Sequence, residues 1–192
     1  MEPAAGVAGW AGMIRLLKNL TAALVPGALA LLCAPAAAEL AEGAMAPAFA
    51  TQAALKGREF GFALRAALAK GPVVLYFYPK AFTQGCTLEA NAFAEAMPRF
   101  KAAGASVIGM SADDIATLKR FSREECRDAF PVGVASRKII AAYDVGMGTS
   151  GLARRTSYVI DRDGRVVLAH SDPDYRSHVE KTLAAVRKLA KK

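Results

Sequence analysis

Six consecutive apolar residues, Val73-Val74-Leu75-Tyr76-Phe77-Tyr78, break the mixed rhythm of the chain. An uninterrupted β-rich run of this length predicts a central strand covered on both faces. Ala105-Ser106-Val107-Ile108-Gly109-Met110 predicts a second buried strand. Between them, Leu88, Phe93, Met97 and Phe100 recur at helical spacing, so Thr87 to Ala103 reads as a helix ending at Gly104, with a kink expected at Pro98. Beyond the second strand, Ser111 is the expected N-cap of a helix running through Ile115, Leu118 and Phe121 to about Arg127. A short strand over Phe130 to Ala135 and a short helix over Ser136 to Tyr143 follow.

Two β-rich runs, Thr156–Ile160 and Arg165–Ala169, flank Asp161-Arg162-Asp163-Gly164 and predict a hairpin. Tyr175 to Leu189 carries Val179, Leu183, Val186 and Leu189 on one helical face. Upstream, residues 39–57 read as irregular with at most a short strand, and Phe60 to Lys70 as a short helix stopped by Gly71-Pro72. The resulting order, strand–helix–strand–helix, then hairpin and helix, predicts an α/β domain: a thioredoxin-like fold with a central mixed sheet and helices on both faces. Fold alone assigns no function.

The first 38 residues follow a different pattern. Arg15 and Lys18 precede a run from Leu20 to Ala38 without a charge, ending in Pro35-Ala36-Ala37-Ala38. A basic start, an apolar centre and small residues before Glu39 form a secretory signal pattern, with Met13 as an alternative start. The expectation is an exported, periplasmic protein cleaved after Ala38, with 39–192 as one domain. The alternative is an uncleaved membrane anchor, against which Pro26 and the alanine-rich end weigh. Cys33 as a lipid-attachment site is disfavoured by the bulky Leu32 before it.

At 192 residues and 54% hydrophobic, the chain is sized for one well-buried domain. Its formal charge of +8 raises nucleic acid as a partner. The basic residues are dispersed, however, and the aromatics sit in apolar runs rather than on a basic stacking surface, so no nucleic-acid role is expected. His170 and His178 share no ligand-spaced cluster and read as surface residues; no metal or other cofactor is expected. Loss of the leader would leave two cysteines, Cys86 and Cys126. In an oxidising compartment such a pair points to a redox couple or a disulfide.

Cys86 follows the Val73–Tyr78 strand and opens the next helix. Unpaired backbone N–H groups at a helix start favour an anion, and a thiolate is one. A small buried residue filling the junction is the plain alternative. Against it stand Thr83, three residues earlier, and Gly85, which leaves the backbone accessible. Glu89 is open between a hydrogen bond near this site and an ordinary first-turn glutamate.

Pro79-x-x-x-Thr83-x-x-Cys86 resembles the active-site signature of peroxiredoxins, thiol peroxidases on a thioredoxin-like fold, and FYPKAFTQGCTLEA is similar to the peroxiredoxin Q (bacterioferritin-comigratory-protein) group. The resemblance runs from about Gly43 to Lys188 and includes Arg155, three residues before Tyr158, where the family places its catalytic arginine. It implies that Cys86 is the peroxidatic nucleophile, that Arg155 keeps it ionised, that Thr83 orients the peroxide and that Pro79 shields the pocket. Backbone N–H groups at Gly85 and Cys86 would stabilise developing charge. It also implies hydrogen peroxide or an organic hydroperoxide as substrate, a thioredoxin-like electron donor, and a monomer or weak dimer.

Two positions depart from the group. Gln84 stands where proline is frequent, and Asn91 occupies the position of the second cysteine of many members. Cys126 is left with two open readings. Its position eleven residues after Ile115 puts it on an apolar face, as a core cysteine. Its neighbours Arg123, Glu124, Glu125 and Arg127 suggest a wet helix end, and some relatives resolve through a cysteine on this helix. The favoured expectation is an intramolecular disulfide between Cys86 and Cys126, which requires the first turn of the Cys86 helix to unwind. The alternative is a one-cysteine enzyme served by an outside thiol. From other classes, a thioredoxin-like disulfide exchanger would want a Cys-x-x-Cys that the chain lacks, and a non-enzymatic binding domain has no use for the intact Pro79, Thr83, Cys86 and Arg155 set.

Overall fold

The computed structural model describes residues 39–191; the expected leader, with Met13 and Cys33, lies outside them. In chain order the elements are β1 (Ala50–Leu55), β2 (Arg58–Ala63), α1 (Leu64–Leu68), β3 (Val73–Phe77), α2 (Gln84–Ala102), β4 (Ser106–Ser111), α3 (Ile115–Glu124), β5 (Val132–Val134), α4 (Arg137–Ala142), β6 (Thr156–Ile160), β7 (Val166–Ser171) and α5 (Arg176–Leu189). The strands form one mixed sheet in the order β2-β1-β5-β4-β3-β6-β7. β3 pairs parallel with β4 and antiparallel with β6, so the longest apolar run of the sequence lies inside the sheet.

All five residues of β3 are buried, and their side chains alternate between two cores. Val74 and Tyr76, with Tyr78 just beyond, join Phe93 and Phe100 of α2, Phe121 of α3 and Val186 of α5. Val73, Leu75 and Phe77 join Leu64 of α1 and Ile139 and Ile140 of α4. Full burial of side chains this size contributes about 1.5–3 kcal/mol each. Helices therefore cover both faces, as a continuous rather than alternating apolar strand requires.

Four local expectations are corrected. The helix expected over Phe60–Lys70 is β2 followed by the five-residue α1, because Lys56 and Gly57 both take positive φ, 55° and 71°, and turn β1 back on β2 as a hairpin. Two left-handed residues suit a tight hairpin, but Lys-Gly is not one of the pairs that announce it. The cap of α3 is Asp114, whose carboxylate accepts from the Thr117 backbone N–H at 2.7 Å; Ser111 instead ends β4 and donates to Asp113 Oδ2 at 2.8 Å. α3 stops at Glu124, so Cys126 lies in the turn after the helix. Both histidines are buried, His178 completely and His170 nearly so, because α5 packs onto the β6–β7 hairpin. α2 runs through Pro98 to Ala102.

Gly109 of β4 lies opposite Tyr76 of β3. A Cβ there would sit 2.7 Å from Tyr76 Cζ and Oη, in a ring that stacks on Phe93 at 4.3 Å. Gly109→Ala should therefore destabilise the fold by about 1–3 kcal/mol through overpacking. Urea unfolding checks this, and an unchanged midpoint would show that the ring has room to yield.

Candidate active site

The chain leaves β3 through Tyr78, whose N–H donates to Met110 O at 3.0 Å, and turns through Pro79–Phe82. Asp113, at the far end of β4, holds this turn: its Oδ2 accepts from the Ala81 N–H at 2.7 Å and from the Ser111 hydroxyl at 2.8 Å. Phe82 adopts φ 63°, a left-handed conformation costly for a bulky residue. Its ring is held edge-on to Phe121, with centroids 5.2 Å apart, and beneath the Arg120 guanidinium at 5.0 Å. Packing on α3 thus fixes the turn that sequence propensity alone would not choose.

Thr83 is the N-cap of α2 by position, but its hydroxyl donates to Lys80 O at 3.0 Å rather than capping the helix. The orphan N–H groups of the first turn are therefore left for another acceptor. Cys86 is the third residue of the helix and only 2% exposed. Pro79, seven residues earlier, is half-buried, and Thr83 is exposed.

Arg155, immediately before β6, brings a distant cation to this helix start. Its Nη2 lies 3.6 Å from Cys86 Sγ, and its Nη1 is hydrogen-bonded to Glu89 Oε2. Its Nε donates to Pro173 O at 3.1 Å. A Cβ on Gly85 would come within 3.3 Å of Nη2, so the glycine leaves the guanidinium its place over the thiol. Glu89 is fully buried, one helical turn after Cys86, and only Oε2 of its two oxygens has a protein partner. The open choice for Glu89 resolves to the first alternative. A thiol, a guanidinium and a helix start in one nearly water-free place can hold a thiolate and stabilise charge on an atom leaving it.

The sequence of this domain matches the AhpC/TSA family over residues 43–169. The chain belongs to that family. Among its relatives, the chloroplastic peroxiredoxin Q of Suaeda salsa is 36% identical over 155 residues, which cover 79% of this chain and 70% of that protein. The solved structure of peroxidoxin BcpB from Mycobacterium tuberculosis superposes with a TM-score of 0.68 at 32% identity, over 77% of this chain and 97% of that one. The bacterioferritin comigratory protein of Xanthomonas campestris, studied for alkyl peroxide reduction, superposes with a TM-score of 0.64 at 30% identity, over 72% and 91% of the two chains. The chain is thus a thiol-dependent peroxidase of the peroxiredoxin Q kind, and the thioredoxin-like fold expected from its element order is the fold it has.

Within this peroxiredoxin, Cys126 is completely buried, so the wet helix end expected from its charged neighbours is not where the thiol sits. Its backbone N–H donates to Phe121 O at 3.0 Å and its carbonyl accepts from Ala129, folding the turn inward. Burial first, then Glu125 and Asp128, push its thiol well above the ordinary value. Cys86 and Cys126 are both free thiols in the same apolar cluster. Asn91, the position where the resemblance led one to look for a second cysteine, donates to Thr87 O at 2.8 Å and lies 3.4 Å from Glu125 Oε2, beside the Cys126 turn. Sequence reasoning missed Asp113 and the Pro173 carbonyl altogether; a backbone acceptor 18 residues from Arg155 leaves no compositional trace.

Burial pushes the Glu89 carboxyl up to about 8, more than the charge and hydrogen bond of Arg155 pull it down. Its folded value thus exceeds the ordinary 4.5, and between the two the folded chain keeps a proton that the unfolded chain has released. The stability this group contributes is full below the lower value and is lost as pH rises through the upper one. Denaturant midpoints should accordingly fall between about pH 5 and about pH 8.5, and Glu89→Gln should flatten that fall. A difference between the two proteins that grows in the opposite direction would contradict this assignment.

Proposed function

We propose that this peroxiredoxin reduces hydrogen peroxide and organic hydroperoxides with Cys86 as the peroxidatic thiol, Arg155, Thr83 and Pro79 as its site, and Cys126 as the resolving thiol. The observation that carries the reading is the Arg155 Nη2–Cys86 Sγ contact of 3.6 Å at the start of α2. The Cys86 thiolate attacks one peroxide oxygen, forming the S–O bond as the O–O bond breaks. The departing oxygen takes a proton from water and leaves as water or alcohol, and Cys86 becomes a sulfenic acid. The Arg155 guanidinium and the free N–H groups at Gly85 and Cys86 meet the charge developing on the leaving oxygen. Because the Thr83 hydroxyl already donates to Lys80 O, its lone pairs are free to accept from the peroxide O–H and orient it.

The sulfenic acid then condenses with the Cys126 thiol, forming the disulfide and releasing water. A thioredoxin-like dithiol returns both cysteines to thiols and is itself oxidised. Since Cys126 is fully buried, condensation requires the first turn of α2 to unwind and carry Cys86 to it. The same burial favours a second reading, in which Cys126 is core packing and an outside thiol reduces Cys86. The alkyl peroxide reduction studied in the Xanthomonas campestris protein supports organic hydroperoxides as substrates here. The uncharged run from Leu20 to Ala38 supports export to the periplasm after cleavage before Glu39; a purified periplasmic form starting elsewhere would refute that cleavage site. We take the active form to be a monomer or weak dimer, which sedimentation equilibrium of the reduced protein tests.

Treating the reduced protein with one equivalent of hydrogen peroxide and mapping its peptides by mass spectrometry should give a loss of two hydrogens, with Cys86 joined to Cys126 in one chain. A sulfenic acid on Cys86 with Cys126 free would establish the second reading. Arg155→Gln should slow oxidation of Cys86 by about 10²- to 10³-fold, the usual cost of removing one preorganised donor to developing charge. Wild-type speed in that variant would remove Arg155 from the mechanism.

A further inference from the structure

The guanidinium of Arg155 is held on two sides. Its two terminal nitrogens face α2, at Cys86 and Glu89, whereas Nε faces the segment between β7 and α5 through the Pro173 carbonyl. If the first turn of α2 unwinds during turnover, the Cys86 contact is lost with it, and the Pro173 contact is the one that does not depend on α2. What holds Pro173 is therefore what keeps the arginine aimed.

His178, in the first turn of α5, is completely buried between that segment and β6. Its Nε2 lies 2.9 Å from the carbonyl of Asp172, the residue before Pro173. Its Nδ1 lies 2.8 Å from the hydroxyl of Ser157, two residues after Arg155. A carbonyl only accepts, so Nε2 carries the proton and donates, and the neutral ring accepts at Nδ1 from Ser157. One imidazole thus bridges the strand that begins at Arg155 and the carbonyl next to the arginine's own anchor. We propose that His178 is the positioning residue of Arg155, fixing the Asp172–Pro173 segment so that the guanidinium stays over Cys86.

The surroundings keep this ring in its single neutral form. His170 of β7 stacks on it with centroids 4.6 Å apart and is itself held by Ser177 Oγ at 2.7 Å and Lys181 Nζ at 3.2 Å. The other charged groups about the pair are Arg155, Asp172, Asp174 and Glu39. Burial first, then the neighbouring His170 and the Arg155 cation, push His178 down to about 4, against the pull of the Asp172 carbonyl and carboxylate. A serine and two histidines at these positions read as unrelated polar residues in the sequence, because 21 residues separate Ser157 from His178.

The inference rests on the reading of Arg155 as the cation serving Cys86, and one set of variants separates the two. Glutamine can place an N–H where Nε2 stands, whereas asparagine reaches only as far as Nδ1. His178→Asn should slow the oxidation of Cys86 by hydrogen peroxide about tenfold, short of the ~10²-fold that misplacing a reactive group costs. It should also raise the pH midpoint of Cys86 alkylation, scored by mass spectrometry of the Cys86 peptide. His178→Gln should recover most of both at a similar unfolding midpoint. If asparagine prevents folding, Ser157→Ala, which removes the partner of Nδ1, carries the same expectation. The proposal is overturned if Arg155→Gln slows Cys86 while His178→Asn leaves rate and alkylation midpoint unchanged. Equal losses in both His178 variants, tracking their stability, would overturn it too. Should Arg155→Gln itself react at wild-type speed, the underlying reading of the arginine fails first and takes this one with it.

Discussion

A largely covered cation held against a buried thiol is the constraint around which this molecule is arranged. Arg155 has no stable place in an apolar interior unless its charge and its donors are matched. The match comes from three directions: the Cys86 sulfur, the Glu89 carboxylate and the Pro173 carbonyl. Two of these lie on α2 and one on the far side, so the helix, the β6 strand and the loop before α5 must be in register for the arginine to be satisfied. The antiparallel pairing of β3 with β6, which sets Phe77 opposite Thr156, places Arg155 next to the end of the strand that leads into Cys86.

The same arrangement explains why Glu89 is useful in spite of its burial. An ionised carboxylate would share the guanidinium with Cys86, and a neutral one leaves more of the positive charge to the thiol. With its carboxyl pushed up to about 8, Glu89 sits close to that balance, set by desolvation against the arginine's field. Asp113 works by geometry instead, holding the Ala81 amide and so the turn that hands β3 to α2. The strained Phe82 persists in that turn because Phe121 and Arg120 pack around its ring.

Cys126 shows the tension between packing and chemistry. Its burial in the cluster that contains Cys86 keeps the thiol protonated and away from outside reductants and oxidants. A thiol in that state could meet Cys86 only after local unfolding, so under the proposed disulfide route the stability of the first turn of α2 would set how readily the two cysteines join. Thr83 leaves that turn without a side-chain cap, which lowers the cost of opening it.

Much of this was legible in the chain itself. The Val73–Tyr78 run, the helical spacing after Thr87 and the Asp161–Gly164 turn fixed a mixed sheet covered on both faces, because burial and turn geometry act over a few residues. Pro79, Thr83, Cys86 and Arg155 were singled out by their resemblance to the peroxiredoxin signature, and the structure places Arg155 Nη2 3.6 Å from Cys86 Sγ. Only the tertiary structure decided what depends on contacts between distant segments. It turned Lys56-Gly57 into a hairpin, sank Cys126 and both histidines into the interior, and set Cys86, Glu89 and Pro173 around one guanidinium, with His178 bonded to the carbonyl next to Pro173. These placements are free energies of burial and of matched donors summed over the whole fold, and no local pattern of residues carries them.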